Sequence, residues 1–254
     1  MKIKIVFEDG DLLVIEKPAG VVVNKALTVK KVKVQDWAKD KFPISNFQFP
    51  ISLDFVRRAG IVHRLDKETS GLLVIAKNAK AFANLQAQFK TRKTRKKYLA
   101  LVHGEVKPQE GKIELPIARN PFNREKFGVF PGGRKAVTEY RTISNFQPRT
   151  TSGSGLPCTQ RGAGQLPNFS FLEVFPKTGR THQIRVHLKA IGHPIVADET
   201  YAGRKTNRAD RKWCPRMFLH ASFLGFFHPR TRKWMEFTSE FPPDLKKALQ
   251  KFSV

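Results

Sequence analysis

A single carboxylate stands inside Gly60-Ile61-Val62-His63-Arg64-Leu65-Asp66-Lys67-Glu68-Thr69-Ser70-Gly71, and the aliphatic run Leu72-Leu73-Val74-Ile75-Ala76 follows at once. Such a run reads as a buried strand, so the loop that enters it is held by the sheet. Asp66 is therefore the first candidate for chemistry. The plainer alternative is a turn aspartate whose side chain caps the amides of Thr69 and Ser70. Two other residues stand in equally ordered surroundings. Tyr98 opens the strand Tyr98-Leu99-Ala100-Leu101-Val102, directly behind Lys90-Thr91-Arg92-Lys93-Thr94-Arg95-Lys96-Lys97, which carries six cations in eight residues. Arg185 lies beside the apolar face of a helix that Thr181 caps and Gly192 stops, with Ile184, His187, Leu188 and Ile191 on that face.

Composition narrows what such a site could act on. The chain has 254 residues and 40% hydrophobic content, enough for a real core, and 47 Lys plus Arg against 21 Asp plus Glu give a net charge of +26. An excess of that size favours a polyanion as partner. No run of eighteen apolar residues is present, and the start turns acidic at Glu8-Asp9 before a signal-peptide core could form. The expectation is a cytoplasmic protein whose partner is nucleic acid and not a membrane. Cys158 and Cys214 form no Cys-x-x-Cys, and the seven histidines include no His-Glu-x-x-His, so no metal site is read. Gly132-Gly133 is a turn, since neither phosphate-cradling glycine pattern occurs.

The elements that must position these residues follow from periodicity. Strand, turn and strand run from Lys2 to Val23, with Pro18-Ala19-Gly20 closing the second strand. Residues 25 to 59 read as a connector, with a short helix from Val34 to Phe42 and a loop holding Phe47, Phe49 and Phe55. Phe82, Leu85 and Phe89 make Ala79 to Phe89 an amphipathic helix packed on the sheet. Further strands are expected at Lys112 to Ile117, Lys135 to Ile143, Phe169 to Phe175 and Lys233 to Thr238, and a last helix from Asp244 to Phe252. Arg119 to Lys135 is a basic, Phe- and Gly-containing loop of RNA-facing character, and Arg204 to Arg216 is a second basic loop. Gln147 to Asn168, without an acidic residue, reads as a flexible surface insertion.

Several of these stretches together resemble one family. His63-Arg64-Leu65-Asp66-x-x-Thr69-Ser70-Gly71 is similar to the signature loop of the RluA-type pseudouridine synthases. Lys17-Pro18-x-Gly20-x-x-Val23 resembles that family's first motif, and the segment ending Tyr98-Leu99-Ala100-Leu101-Val102-His103-Gly104 resembles its second, Lys-x-Tyr-x-Ala-x-Val-x-Gly. Thr178-Gly179-Arg180-Thr181-His182-Gln183-Ile184-Arg185-Val186-His187-Leu188 resembles the third. Pro194 to Gly203 is similar to Pro-Ile-x-Gly-Asp-x-x-Tyr-Gly, with Ala197 and Ala202 where glycine is common, and Leu219 to Pro229 matches the terminal Leu-His-Ala motif.

The resemblance implies an α+β fold, a mixed and mainly antiparallel sheet bent into two halves around a central cleft, in a single catalytic domain over 1–254. It implies an isomerase that converts uridine to pseudouridine in tRNA or rRNA, without cofactor or metal and as a monomer. Asp66 would be the catalytic carboxylate, kept charged by Arg185, with Tyr98 under the uracil and involved in proton transfer at C5. Arg64 would enter the stack vacated by a flipped base. Lys90, Arg92, Lys93, Arg95, Lys96, Arg180, Arg204 and Lys205 would bind the RNA backbone, while His63 and Thr69 hold the loop's shape. Many relatives carry an N-terminal S4 RNA-binding domain. This chain starts at the catalytic core, so target selection is expected from its loops and basic surface. A non-catalytic RNA-binding protein of the same fold and a basic ribosome-associated protein are the rival readings, and neither needs Asp66, Tyr98 and Arg185 all present.

Overall fold

The computed structural model describes residues 2–24, 33–41, 53–148 and 168–253. The chain forms two compact units, Met1–Lys96 with Ala221–Ser239, and Lys97–His220 with Glu240–Val254. Among the described residues both are α+β, with mainly antiparallel strands and six helices in all.

In the first unit β1 (Lys4–Glu8) pairs antiparallel with β2 (Leu12–Lys17), and β2 with β3 (Ser70–Ala76). Beyond β3 lies β10 (Leu219–Phe227), which pairs antiparallel with β11 (Trp234–Thr238). Every residue of β3 is buried, as its unbroken aliphatic sequence requires of a strand covered on both faces. Helices α1 (Val34–Lys41), α2 (Leu53–Arg58) and α3 (Ala79–Lys90) complete the unit. The Asn78 side chain caps α3 by accepting from the Ala81 amide at 2.9 Å. Phe55, Ala81, Phe82 and Leu85 then share a core with Leu12, Val14, Leu72, Val74, Leu224 and Phe226.

Two glycines fix the ends of the Asp66 loop. Gly60 has φ +72°, and a Cβ built on it would lie 2.0 Å from the Ala76 carbonyl oxygen. Gly71 has φ +115°, and its Cβ would lie 2.2 Å from the Ala221 carbonyl oxygen. Only glycine lets the backbone pass this close to the neighbouring strand.

In the second unit β4 (Arg95–His103) pairs with β9 (Phe169–Pro176), β9 with β8 (Val137–Pro148), and β8 with both β5 (Glu110–Glu114) and β12 (Phe252–Ser253), all antiparallel. A separate hairpin is made by β6 (Ile117–Arg119) and β7 (Phe127–Val129). Helices α4 (Gln183–Ala190), α5 (Arg204–Asp210) and α6 (Pro243–Leu249) flank these strands. Leu101, Leu172, Val174, Leu188, Ile195, Phe218 and Leu245 lie at the centre of the core.

Several boundaries differ from the sequence expectation. Strand β4 opens at Arg95 and not at Tyr98, so the last cations of the 90–97 run are part of it. Helix α4 is not capped by Thr181. It begins at Gln183 after His182 in a left-handed conformation, φ 56°. The Gln183 side chain closes the turn instead, accepting from the Thr178 hydroxyl at 2.6 Å and the Arg180 amide at 3.0 Å. Residues 204–210 form α5, because Asp210 is buried and fastens the helix end to the Ala197 amide at 2.8 Å. The final helix stops at Leu249, since Phe252 is drawn into β12 against Phe146, Phe169 and Trp213. Ala197, where the family favours glycine, has φ 57°, a conformation that costs alanine about 1 kcal/mol. Of the expected insertion at 147–168, residues 149–167 lie outside the described residues, as do Cys158, Phe47 and Phe49.

Replacing Gly71 by alanine should lower the unfolding free energy by more than about 3 kcal/mol, since β10 backbone must yield as well as φ. Urea unfolding of the variant checks this, and an unchanged midpoint would contradict the close packing.

Candidate active site

Asp66 lies in the first unit, in non-regular backbone, partly exposed, between buried Leu65 and buried Thr69. The turn after it is closed by backbone, with the Thr69 amide donating to the Asp66 carbonyl at 3.2 Å. Thr69 Oγ1 is buried without a hydrogen-bond partner, so Thr69 shapes the loop by this amide and by packing.

The strongest restraint comes from Lys17 at the end of β2. Its side chain is 1% exposed, and its Nζ donates to the carbonyls of Pro18 at 2.8 Å, Val21 at 2.8 Å and Lys67 at 3.1 Å. The Lys67 carbonyl, one residue past Asp66, also accepts from the Gly20 amide at 2.8 Å. An ammonium has three protons to donate, and here three carbonyls receive them. The Pro18–Val21 turn and the Asp66 loop are thereby joined into one rigid piece.

On the other side of Asp66, His63 stacks on Phe89 with ring centroids 4.5 Å apart and accepts the Val74 amide on Nε2 at 3.1 Å. Burial, assisted by the charge of Lys96, pushes the imidazole down to about 3. It is a neutral strut, not a proton carrier.

Tyr98 and Arg185 belong to the second unit. Tyr98 is partly buried in β4, opposite Val174 of β9, with its ring against the core. Beside it Glu173 accepts from Lys97 at 2.8 Å and from Arg141. Burial raises the carboxyl pKa, but the Lys97 and Arg141 contacts outweigh it and hold the group below its usual range.

Arg185 is 7% exposed and forms a fork on Asp198, Nε to Oδ2 at 2.7 Å and Nη2 to Oδ1 at 2.8 Å. The ring of Tyr201 lies under the guanidinium at 4.8 Å. Asp198 Oδ1 also accepts the amides of Thr200 and Tyr201, at 2.9 and 3.1 Å, and the Tyr201 hydroxyl meets His182 Nδ1 at 2.9 Å. Asp198 engages one edge of the guanidinium, and Nη1 is on the other. Sequence reasoning missed Asp198 and Tyr201 as site residues, although both stood in a motif already noted. Lys17, which the first motif offered as a residue near the site or as a plain strand-end lysine, anchors the Asp66 loop.

Arg64, Lys90, Arg92, Lys93 and Arg95 are exposed, and the Arg95 guanidinium lies 5.3 Å from the Trp234 ring centroid. Lys96 is partly buried, and burial pushes its ammonium down to about 8. Arg180 donates from Nε to the Lys135 carbonyl at 3.2 Å, and Arg204 and Lys205 are exposed on α5. Asp9, Asp11 and His228 bring potential metal ligands within 4.8 Å of one another. His228 meets Asp9 at 2.8 Å and Arg230 meets Asp11 at 2.6 Å, so both acids already have side-chain partners.

A sequence profile described as RNA pseudouridylate synthase matches residues 11–190. The chain belongs to this family. It is 39% identical over 248 residues to an uncharacterized RNA pseudouridine synthase of Aquifex aeolicus, covering 96% of this chain and 71% of that one. It is 37% identical over 254 residues to the ribosomal large subunit pseudouridine synthase D of Zymomonas mobilis, again 96% and 71%. The solved human RNA pseudouridylate synthase domain containing 1 superposes with TM-score 0.70 at 27% identity, over 99% of this chain and 88% of that one. As a pseudouridine synthase the chain is an isomerase that acts on RNA, and its mainly antiparallel α+β fold is the one that solved pseudouridylate synthases share. Among the described residues no helix is long and apolar enough to cross a membrane.

Lys17→Met keeps the apolar stem but removes all three donors. Turnover should fall by about 100-fold through misplacement of the loop, with RNA affinity held within about threefold because phosphate contacts supply it. Single-turnover and binding assays on the same preparation check this, and an unchanged turnover would contradict it. Asp198→Asn should cost about 3 kcal/mol of stability, since it leaves the buried guanidinium without its counter-ion. Urea unfolding measures that loss, and a variant as stable as wild type would show the pair to be dispensable.

Proposed function

We propose that the chain converts a uridine of structured RNA to pseudouridine with Asp66 as the catalytic carboxylate and Tyr98 and Arg185 as its partners in the reaction. The reaction breaks the N1–C1′ bond, turns the uracil and joins C5 to C1′, and it ends with loss of the C5 proton while N1 takes up one, so that substrate and product are isomers. Atoms and electrons balance without a co-reactant. Asp66 serves either by attacking the nucleotide or by taking a sugar proton, and both routes need the ionised carboxylate. Arg185 is assigned the role of counter-charge, and Tyr98 that of packing against the uracil and assisting proton transfer at C5.

The observation that carries the reading is the treatment of the Asp66 loop. Its ends are glycines that no other residue could replace, its backbone is tied down by a buried ammonium, and the carboxylate between them keeps partial access to solvent. A merely structural turn would not need a lysine buried for its sake. The exposed cations at 64, 90–95 and 204–205 suit phosphate contacts, and extrusion of a stacked base costs roughly a few kcal/mol, which such contacts offset. Relatives named for the large ribosomal subunit make its RNA the first substrate to assay, with tRNA second.

Pseudouridine should disappear from one position of the large-subunit RNA or of a tRNA when the gene is deleted. The wild-type chain should restore it, and Asp66→Ala and Asp66→Asn should not. Restoration by Asp66→Ala would end the catalytic assignment.

A further inference from the structure

We propose that the β6–β7 hairpin is a base-stacking finger, with Phe122 at its tip lying against an unpaired base of the RNA. This rests on the pseudouridine synthase reading and adds to it a specific point of substrate contact.

Phe122 is 96% exposed, the highest exposure among the large exposed hydrophobic side chains of the described residues. A ring so placed gains nothing for folding. The tip that carries it is nevertheless built. Asn120 Oδ1 accepts the amides of Phe122 at 2.8 Å and Asn123 at 3.0 Å, Asn123 Oδ1 accepts that of Glu125 at 3.1 Å, and the Asn120 amide donates to the Lys126 carbonyl at 2.9 Å. The backbone under the ring is thus held in one shape, which lowers the entropy lost when the ring is covered.

The surroundings select the partner. Arg119, Arg124, Lys126, Arg134 and Lys135 are all exposed between residues 119 and 135, with Glu125 as the sole acid. An apolar protein partner would want more hydrophobic surface than one ring. A nucleic-acid strand wants what is present, cations for the phosphates and an aromatic face for a base. Both strands of the hairpin contact the surroundings of Arg185. The Phe127 amide donates to the Tyr201 hydroxyl at 3.0 Å, and Tyr201 is the ring under Arg185. Ile117 packs with Val186 of α4 and with Tyr201.

The test is fluorescence anisotropy with two labelled probes, an oligouridylate and an abasic oligomer of the same length. Phe122→Ala should bind the oligouridylate about tenfold more weakly and the abasic oligomer as well as wild type does. Phe122→Trp should retain the wild-type preference. Equal binding of oligouridylate by Phe122→Ala and wild type overturns the proposal, and so does an equal loss on both probes. Because the side chain is solvent-exposed, thermal unfolding of the variant should match wild type. Pseudouridine formation measured alongside separates the two ideas. A wild-type chain that forms none defeats the functional reading, whereas a functional enzyme whose Phe122→Ala variant binds both probes like wild type defeats only this one.

Discussion

A buried ammonium organises the first unit. Lys17 gives up its hydration at the end of a buried strand, and that loss is tolerable only because three carbonyl oxygens replace the water. Their positions make the contact more than local. Two belong to the turn that follows β2 and the third to the loop that carries Asp66, fifty residues along the chain. Together with the two tight glycine positions, this gives the loop both ends and a middle anchor. The backbone that carries the carboxylate has little freedom to wander.

The second unit solves a related problem with opposite charges. A guanidinium buried on α4 is oriented by the carboxylate of Asp198 and by the face of Tyr201, and Asp198 is in turn oriented by two backbone amides. Removing Asp198 would take away the counter-ion of a buried charge, so the cradle matters once Arg185 is buried. The chain as a whole is strongly cationic, with a net charge of +26, as suits an enzyme that acts on RNA.

Much of this was legible in the sequence. Strands β2, β3 and β9 are nearly continuous aliphatic or aromatic runs, and α3 shows its core face at helical spacing, so their burial follows from period and composition. The signature loop, its aspartate and the helix arginine followed from motif resemblance. What was not legible depended on partners distant in sequence. Thr181 looked like a helix cap until Gln183 reached back to Thr178 and Arg180. The helix at 204–210 has no apolar stripe and is fastened by the single buried Asp210. Lys17 and Lys96 have the same side chain, yet one is a buried staple and the other is partly buried beside His63. Only the fold distinguishes them.

Lys17 holds the loop of Asp66 in place. Amide hydrogen exchange in peptides spanning residues 18–24 and 60–71, compared between wild type and Lys17→Met, tests it directly. Exchange should be faster by about tenfold or more at Gly20 and Thr69, with α3 and β9 protected as before. Unchanged protection at those two amides would show that the loop stands without its lysine and would contradict the account.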